Sequence, residues 1–183
     1  FLKPYRSRSA ESIFEEISYH VKENNINCFS FKDLLCNGNI SELTSLCNLI
    51  IDAGLKINWD SQAVTRKEMT YELLCKMRDA GCGTLIYGVE SFSNNILKGM
   101  RKIFDRETAE RVLRDTHKAG IKAVINIIVG FPKETEEDFM ETFEAIKSNR
   151  EYISEVSAIS VCLINNDTQL DLKYMDYDIV LPE

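Results

Sequence analysis

Apolar residues recur along this chain in two alternating rhythms, one helical and one short and extended. Ile13, Phe14, Ile17 and Val21 fall on one stripe of a helix that Ser9 is placed to cap and Asn24 and Asn25 end. Residues 26–31 then read as a strand running into the polar Lys32 and Asp33. Asn39, with Glu42 three residues on, opens a second helix with Leu43, Leu46, Cys47 and Ile50 inward and Gly54 as its stop. The unit then repeats. A strand over 56–59 precedes a helix from about Thr70 that carries Leu73, Leu74 and Met77 and stops at Gly81. A strand over 84–89 leads to a short helix from Ser93, whose positive end is suited to an anion, and a longer one from about Asp105. The longer helix has Ala109, Val112, Leu113 and Thr116 inward and ends at Gly120. A fourth strand over 122–129 is followed by a helix capped by Thr135 and Asp138, with Phe139, Phe143 and Ile146 predicted inward, and by a fifth strand over 156–164. Residues 165–183 form a polar, then acidic-aromatic extension, in which 179–181 is open between a further strand and a loose end.

Strands alternating with helices at this spacing describe consecutive βαβ units and hence a parallel sheet. The predicted class is α/β, an open, partial parallel (β/α) barrel of five to six strands with outer helices. The fourth strand is apolar on both faces except at Asn126, which predicts cover on both faces. Polar strand ends (Asp33, Asp60 to Gln62, Glu90, Gly130) are expected to gather at one rim, where parallel sheets bind ligands.

Charge and cysteine usage narrow the function. A net charge of −7 over 183 residues argues against nonspecific binding to nucleic acid or an acidic membrane surface. The longest apolar stretch, around 123–131, is far too short to span a bilayer and contains Asn126. The six cysteines have no CxxC spacing, and several have apolar neighbours, as Cys28 and Cys162 do; reduced, buried thiols in a cytoplasmic protein are predicted. Two histidines, His20 and His117, fall on predicted helices away from strand ends, so no metal site and no catalytic residue is assigned. The chain opens on Phe1, and its first residues read as the interior of a longer protein.

Single residues are ambiguous. Glu90, after Ile86 and Gly88 on alternate positions, suits either a ligand or a lysine partner. Asn126 in an apolar strand needs hydrogen-bond partners, since an unpaired buried amide costs about 1–3 kcal/mol. Lys102 by itself reads as a solvated cation, and Gly130-Phe131-Pro132 as a tight strand-to-helix turn.

Together they carry a resemblance. The order GVES (residues 88–91), MRK (100–102), an AGI turn (119–121) and INIIVGFPKETEEDF (125–139) resembles the radical S-adenosylmethionine (SAM) enzymes. It is most similar to their cobalamin-associated and oxygen-independent coproporphyrinogen-oxidase-like branches. YRSRSAESIFEEI resembles the stretch after their cluster loop, and FSFKD their second strand. The resemblance implies that Glu90 and Asn126 meet the ribose hydroxyls of SAM, that Lys102 faces its methionine carboxylate, and that the backbone of Gly130, Phe131 and Pro132 lies by the adenine. The family often has arginine where Lys102 stands, which would lose a bidentate grip. It sets Gln62 and Arg66 among cofactor contacts and Asp33 at the substrate rim. The family's CxxxCxxC motif, which holds a [4Fe–4S] cluster, is not in this sequence. The expectation is therefore an incomplete radical SAM domain over 1–183, inactive by itself, with cluster ligands outside this chain and a preceding cobalamin domain left open. The full protein is expected to cleave SAM reductively to a 5′-deoxyadenosyl radical for hydrogen abstraction or methyl transfer on a small-molecule substrate. Its electron donor would be a flavodoxin or ferredoxin, and no nucleic acid or membrane partner is expected. The alternatives are a radical-SAM-like binding module without catalysis and an unrelated partial-barrel hydrolase.

Overall fold

The computed structural model of the protein describes residues 7–32, 35–166 and 168–180. Five strands, β1 (Cys28–Phe31), β2 (Asn58–Ala63), β3 (Cys82–Glu90), β4 (Lys122–Val129) and β5 (Glu155–Val161), form one parallel sheet in chain order. Helix α1 (Ala10–Asn24) precedes β1, helices α2 (Ile40–Asp52), α3 (Tyr71–Asp79), α4 (Asn94–Gly99), α5 (Arg106–Lys118) and α6 (Glu136–Ser148) connect the strands, and α7 (Gln169–Leu172) with a 3-10 turn (Tyr174–Tyr177) follows β5. Parallel strands taken in sequence, each joined by a right-handed crossover, place their helices on one side. The result is the open partial barrel expected.

Local chemistry explains the helix starts. Ser9, Asn39, Thr70, Asp105 and Thr135 each accept the backbone N–H three residues on, and Thr135 with Asp138 forms a reciprocal capping box. The core lies between sheet and helices, around the fully buried Trp59, Tyr87, Leu85, Ile125, Leu113 and Met77. Trp59 Nε1 donates to Ala80 O at 2.9 Å, and Tyr87 and Thr116 hydroxyls meet at 2.8 Å, so each buried polar tip is satisfied.

Several expectations need correction. Cover on both faces is only partial: residues in register across the sheet alternate between a helix-covered face (Trp59, Ser61, Leu85, Tyr87, Ile125) and an inner face (Ser30, Asp60, Gln62, Thr84, Gly88, Asn126) that is incompletely shielded, although Val124 on it is buried. Strand β2 runs on through Asp60–Gln62, because its backbone pairs on both sides and Trp59, Ser61 and Ala63 bury the alternate positions. Cys28 is exposed, lying on the inner face of edge strand β1. Strand β5 stops at Val161, and Ile179 and Val180 lie in no strand, while Leu181 is outside the described residues. The largest reversal is in α6. Its buried face is Asp138, Thr142 and Ala145, whereas Phe139 and Phe143 are 39% and 50% exposed. Polar residues face inward there because the loop after β3 presents hydrogen-bonding groups, not apolar surface, to the helix.

Candidate functional site

The site is built where β3 and β4 end. Gly88 and Asn126 are register neighbours on the inner face, so their backbones lie roughly 5 Å apart. Immediately beyond, the ladder slips: Gly88 pairs with Asn126 but Glu90 pairs with Ile127, leaving Val89 as an extra residue. Glu90 closes this bulge with φ +68°, a left-handed conformation that costs a non-glycine residue about 1–2 kcal/mol. The bulge folds its side chain back over the preceding strand: a Cβ on Gly88 would stand 2.8 Å from Glu90 Oε1. Glycine at 88 is thus what leaves room for the Glu90 carboxylate on the inner face.

Lys102, carried in by the turn after α4, completes this cluster. Its Nζ donates to Gly88 O at 2.9 Å, stands 3.5 Å from Glu90 Oε1 and lies 5.8 Å above the Phe104 ring. Burial pulls its pKa below the ordinary lysine value, against the pull of the Glu90 charge. Both members of the pair are mostly shielded, with side-chain exposures of 25% and 20%. An ammonium has three donors, so one remains for a further acceptor after Gly88 O and Glu90. Asn126 is half-buried, not buried as the sequence implied, and its amide has no hydrogen-bond partner among the described residues.

Gly130 takes φ +76°, which turns the chain out of β4, and its N–H is held by the Glu134 carboxylate while Glu134 N–H donates to Phe131 O at 2.8 Å. The Phe131 ring is buried against Gly99, where a Cβ would come within 3.0 Å of it, and Pro132 is half-buried. Residues after β5 return to this turn: Tyr177 meets Phe131 edge-on at 6.3 Å, and Lys133 Nζ donates to Asp176 O at 2.7 Å.

Other predicted residues lie farther off. Gln62 is exposed on the inner face of β2, in register with Ile86, two residues before Gly88. Arg66 lies in the loop after β2, where its Nε binds Glu68 at 2.9 Å and its Nη1 donates to Asn37 O at 3.1 Å. Arg66 and Lys102 nevertheless line one open cavity of about 530 Å³ with Phe104 and Asp105. Asp33 is outside the described residues. A second cavity, of about 380 Å³, lies between α1, α2 and β1; its Arg8 and Glu16 pair with each other, and it is two strands from Glu90.

Sequence reasoning missed the groups that fix the ends of β3 and β4. Ser91, Phe92 and Ser93 are buried, and the anion at the start of α4 is the chain's own Asp138, 2.6 Å from Ser93 Oγ. The capping box announced Asp138 as local to α6, but nothing in the sequence pointed it at Ser93. Ser30 donating to Asp60 at 2.7 Å is a further inner-face pair that was not anticipated.

The donor set fits SAM: a carboxylate and an amide to meet a ribose diol, an ammonium for a carboxylate, and a glycine surface between them. It does not fit a [4Fe–4S] cluster. All six cysteines are free thiols; Cys36, Cys47 and Cys82 are near enough to feel one another's charge, but burial raises Cys47 to about 12, which opposes the thiolate a cluster needs. Among the described residues no group of three or more His, Cys, Asp or Glu could hold a metal ion, and no helix is long and apolar enough to cross a membrane.

Comparison with known proteins bears on the family and the fold. The family model described as the Radical SAM superfamily matches residues 1–146. An uncharacterised methyltransferase of Pyrococcus horikoshii is 30% identical over 148 residues, covering 80% of this chain and 32% of the relative. A tRNA-2-methylthio-N(6)-dimethylallyladenosine synthase of Clostridium botulinum is 32% identical over 153 residues, covering 78% of this chain and 34% of the relative. The chain therefore spans about a third of the length of these curated relatives. Among solved structures, the radical SAM methyltransferase TsrM of Kitasatospora setae, with cobalamin and a [4Fe–4S] cluster bound, superposes with TM-score 0.74 at 17% identity, covering 85% of this chain and 31% of that one; at that identity the likeness is one of fold.

Proposed function

The chain belongs to the radical SAM superfamily, and from that premise we propose that it forms the SAM-binding core of a radical SAM enzyme. The observation that carries the reading is the convergence of Glu90, Lys102 and Asn126 around Gly88 at the ends of two adjacent strands. Glu90 accepts from the ribose hydroxyls, Asn126 adds its unpartnered amide, and Lys102 directs its remaining donor at the methionine carboxylate. The turn at Gly130, Phe131 and Pro132 offers backbone to the adenine. Gln62 and Arg66 border this site, Arg66 mainly as a brace for the rim. SAM, when bound, supplies the reactive group: one-electron reduction opens a carbon–sulfur bond of its sulfonium, for hydrogen abstraction or methyl transfer.

No residue described in this chain is assigned to the [4Fe–4S] cluster, whose ligands we place outside the 183 residues. The full protein is proposed to act on a small molecule, to take electrons from a flavodoxin or ferredoxin, and to work in the cytoplasm. The net charge of −7 on this chain supports a substrate other than nucleic acid, although one relative is named for a tRNA modification. A non-catalytic module would bind SAM with the same residues, so cluster reconstitution of the longer protein separates the two readings. The site itself is tested by calorimetric titration with SAM. Binding that Glu90→Ala abolishes is the expected result; heats unchanged by that substitution would remove the assignment.

A further inference from the structure

Asp138 is 6% exposed, and no cation pairs with its carboxylate among the described residues. Neutral donors surround it instead. Oδ1 accepts from Ser93 Oγ at 2.6 Å; Oδ2 accepts from Thr135 N–H at 3.0 Å and Thr135 Oγ1 at 2.8 Å; Asn95 Nδ2 reaches both oxygens at 3.3 Å. One turn along α6, Thr142 extends the network. Its hydroxyl donates to Asp138 O at 3.3 Å, so Ser91 Oγ must be the donor in the 2.9 Å contact between them. Phe92 N–H also donates to Thr142 Oγ1 at 3.0 Å, and Ser93 N–H to Ser91 Oγ at 3.1 Å. Every hydroxyl proton then has one acceptor. The residues tied down are the three after Glu90, and the residues doing the tying begin three positions after Pro132.

Resting on the reading of Glu90 as the acceptor for ribose, we propose that Asp138 is its positioning residue, with Thr142 as partner. The bulged end of β3 is held in its left-handed conformation by bonds to α6, the same helix that the Gly130 turn enters. One buried carboxylate thereby sets the distance between the two halves of the nucleoside site. An asparagine at 138 keeps the shape but turns an N–H₂ toward donors, so one half of the network loses its acceptor.

The experiment is a double-substitution cycle on the full chain, read by calorimetric titration with SAM, with thermal midpoints recorded to confirm folding. Asp138→Asn is expected to weaken binding on the order of tenfold, and Glu90→Gln by a similar factor. The double variant should bind no worse than Glu90→Gln alone, because the effect passes through Glu90. Thr142→Ser, which keeps the hydroxyl, should bind as the wild type does, and Thr142→Val should not. A role confined to stability would lower the midpoint and leave affinity untouched. Folded Asp138→Asn binding SAM like the wild type, or single losses that multiply in the double variant, would overturn the inference while leaving the Glu90 site standing. Should Asp138→Asn fail to fold, Ser93→Ala removes one donor only, and the same cycle applies with a smaller loss. A wild-type chain silent toward SAM would sink the site reading and this inference together.

Discussion

The rim after β3 and β4 differs from the rim after β1 and β2 in how its loops are held. Beyond β3, side chains meet side chains as well as backbone: Ser91 meets Thr142, Ser93 and Thr135 meet Asp138, and the two groups are joined through Ser93 N–H and Asp138 O. Beyond β2, one amide grips backbone: Asn37, fully buried, accepts from Val64 N–H at 3.0 Å and donates to Val64 O at 2.8 Å. Arg66 seals the same loop, and beside it Thr65 Oγ1 is buried with no hydrogen-bond partner. On the proposed reading the first arrangement aims the Glu90 carboxylate, whereas the second closes a loop. Closing a loop tolerates an idle hydroxyl, whereas aiming a carboxylate depends on each bond that fixes the residues beside it.

Five measurements would break or sharpen that contrast. The largest effect is expected from Asn37→Ala, which orphans two backbone groups of Val64 and should cost about 2–4 kcal/mol by urea denaturation, while SAM affinity of the folded fraction stays unchanged. Thr142→Val should cost less, about 1–3 kcal/mol, yet lower affinity; equal affinities for these two variants would erase the distinction. Acid titration of stability comes next. Burial opposes ionisation of Asp138, but donors from Ser93, Thr135 and Asn95 outweigh it and hold the carboxyl at about 2, below the ordinary 3.8. A depressed carboxylate stabilises fully above its unfolded value, and that contribution fades as pH falls from about 4 through about 2. Asp138→Asn should therefore flatten the stability curve in that window relative to wild type. Thr65→Val has the opposite sign: removing an unpaired hydroxyl should stabilise by about 1 kcal/mol. The smallest effect is expected on the outer face of α6, where Phe143→Ser should stay within about 0.5 kcal/mol; a large loss would restore the inward phenylalanine face that the periodicity suggested.

That periodicity deserves a physical account, because it worked elsewhere. In α2, α3 and α5 the apolar stripe is the buried stripe, since those helices pack on the apolar covered face of the sheet. In α6 the inward neighbour is the Ser91–Ser93 loop, and Asp138 and Thr142 belong to a hydrogen-bonded contact that hydrophobicity cannot register. The predicted span of β2 failed for a related reason: Asp60 to Gln62 read as a polar end just beyond the strand, but Asp60 and Gln62 occupy the open inner face of a paired strand. The resemblance to a family named Glu90, Lys102 and Asn126, while the bulge that brings Glu90 over Gly88 left no mark in the residue order.

By itself the sequence determined the helix caps, the order and parallel pairing of the strands, and the family, because each depends on residues near one another or on a repeating pattern. Only the tertiary structure decided which face of α6 turns inward, that Lys102 reaches Gly88 and Glu90, and that Asp138 answers the α4 start. Those outcomes join residues 12 to 51 positions apart, and a contact across such a distance is selected by what the folded chain places opposite each group, not by the group's neighbours in the chain.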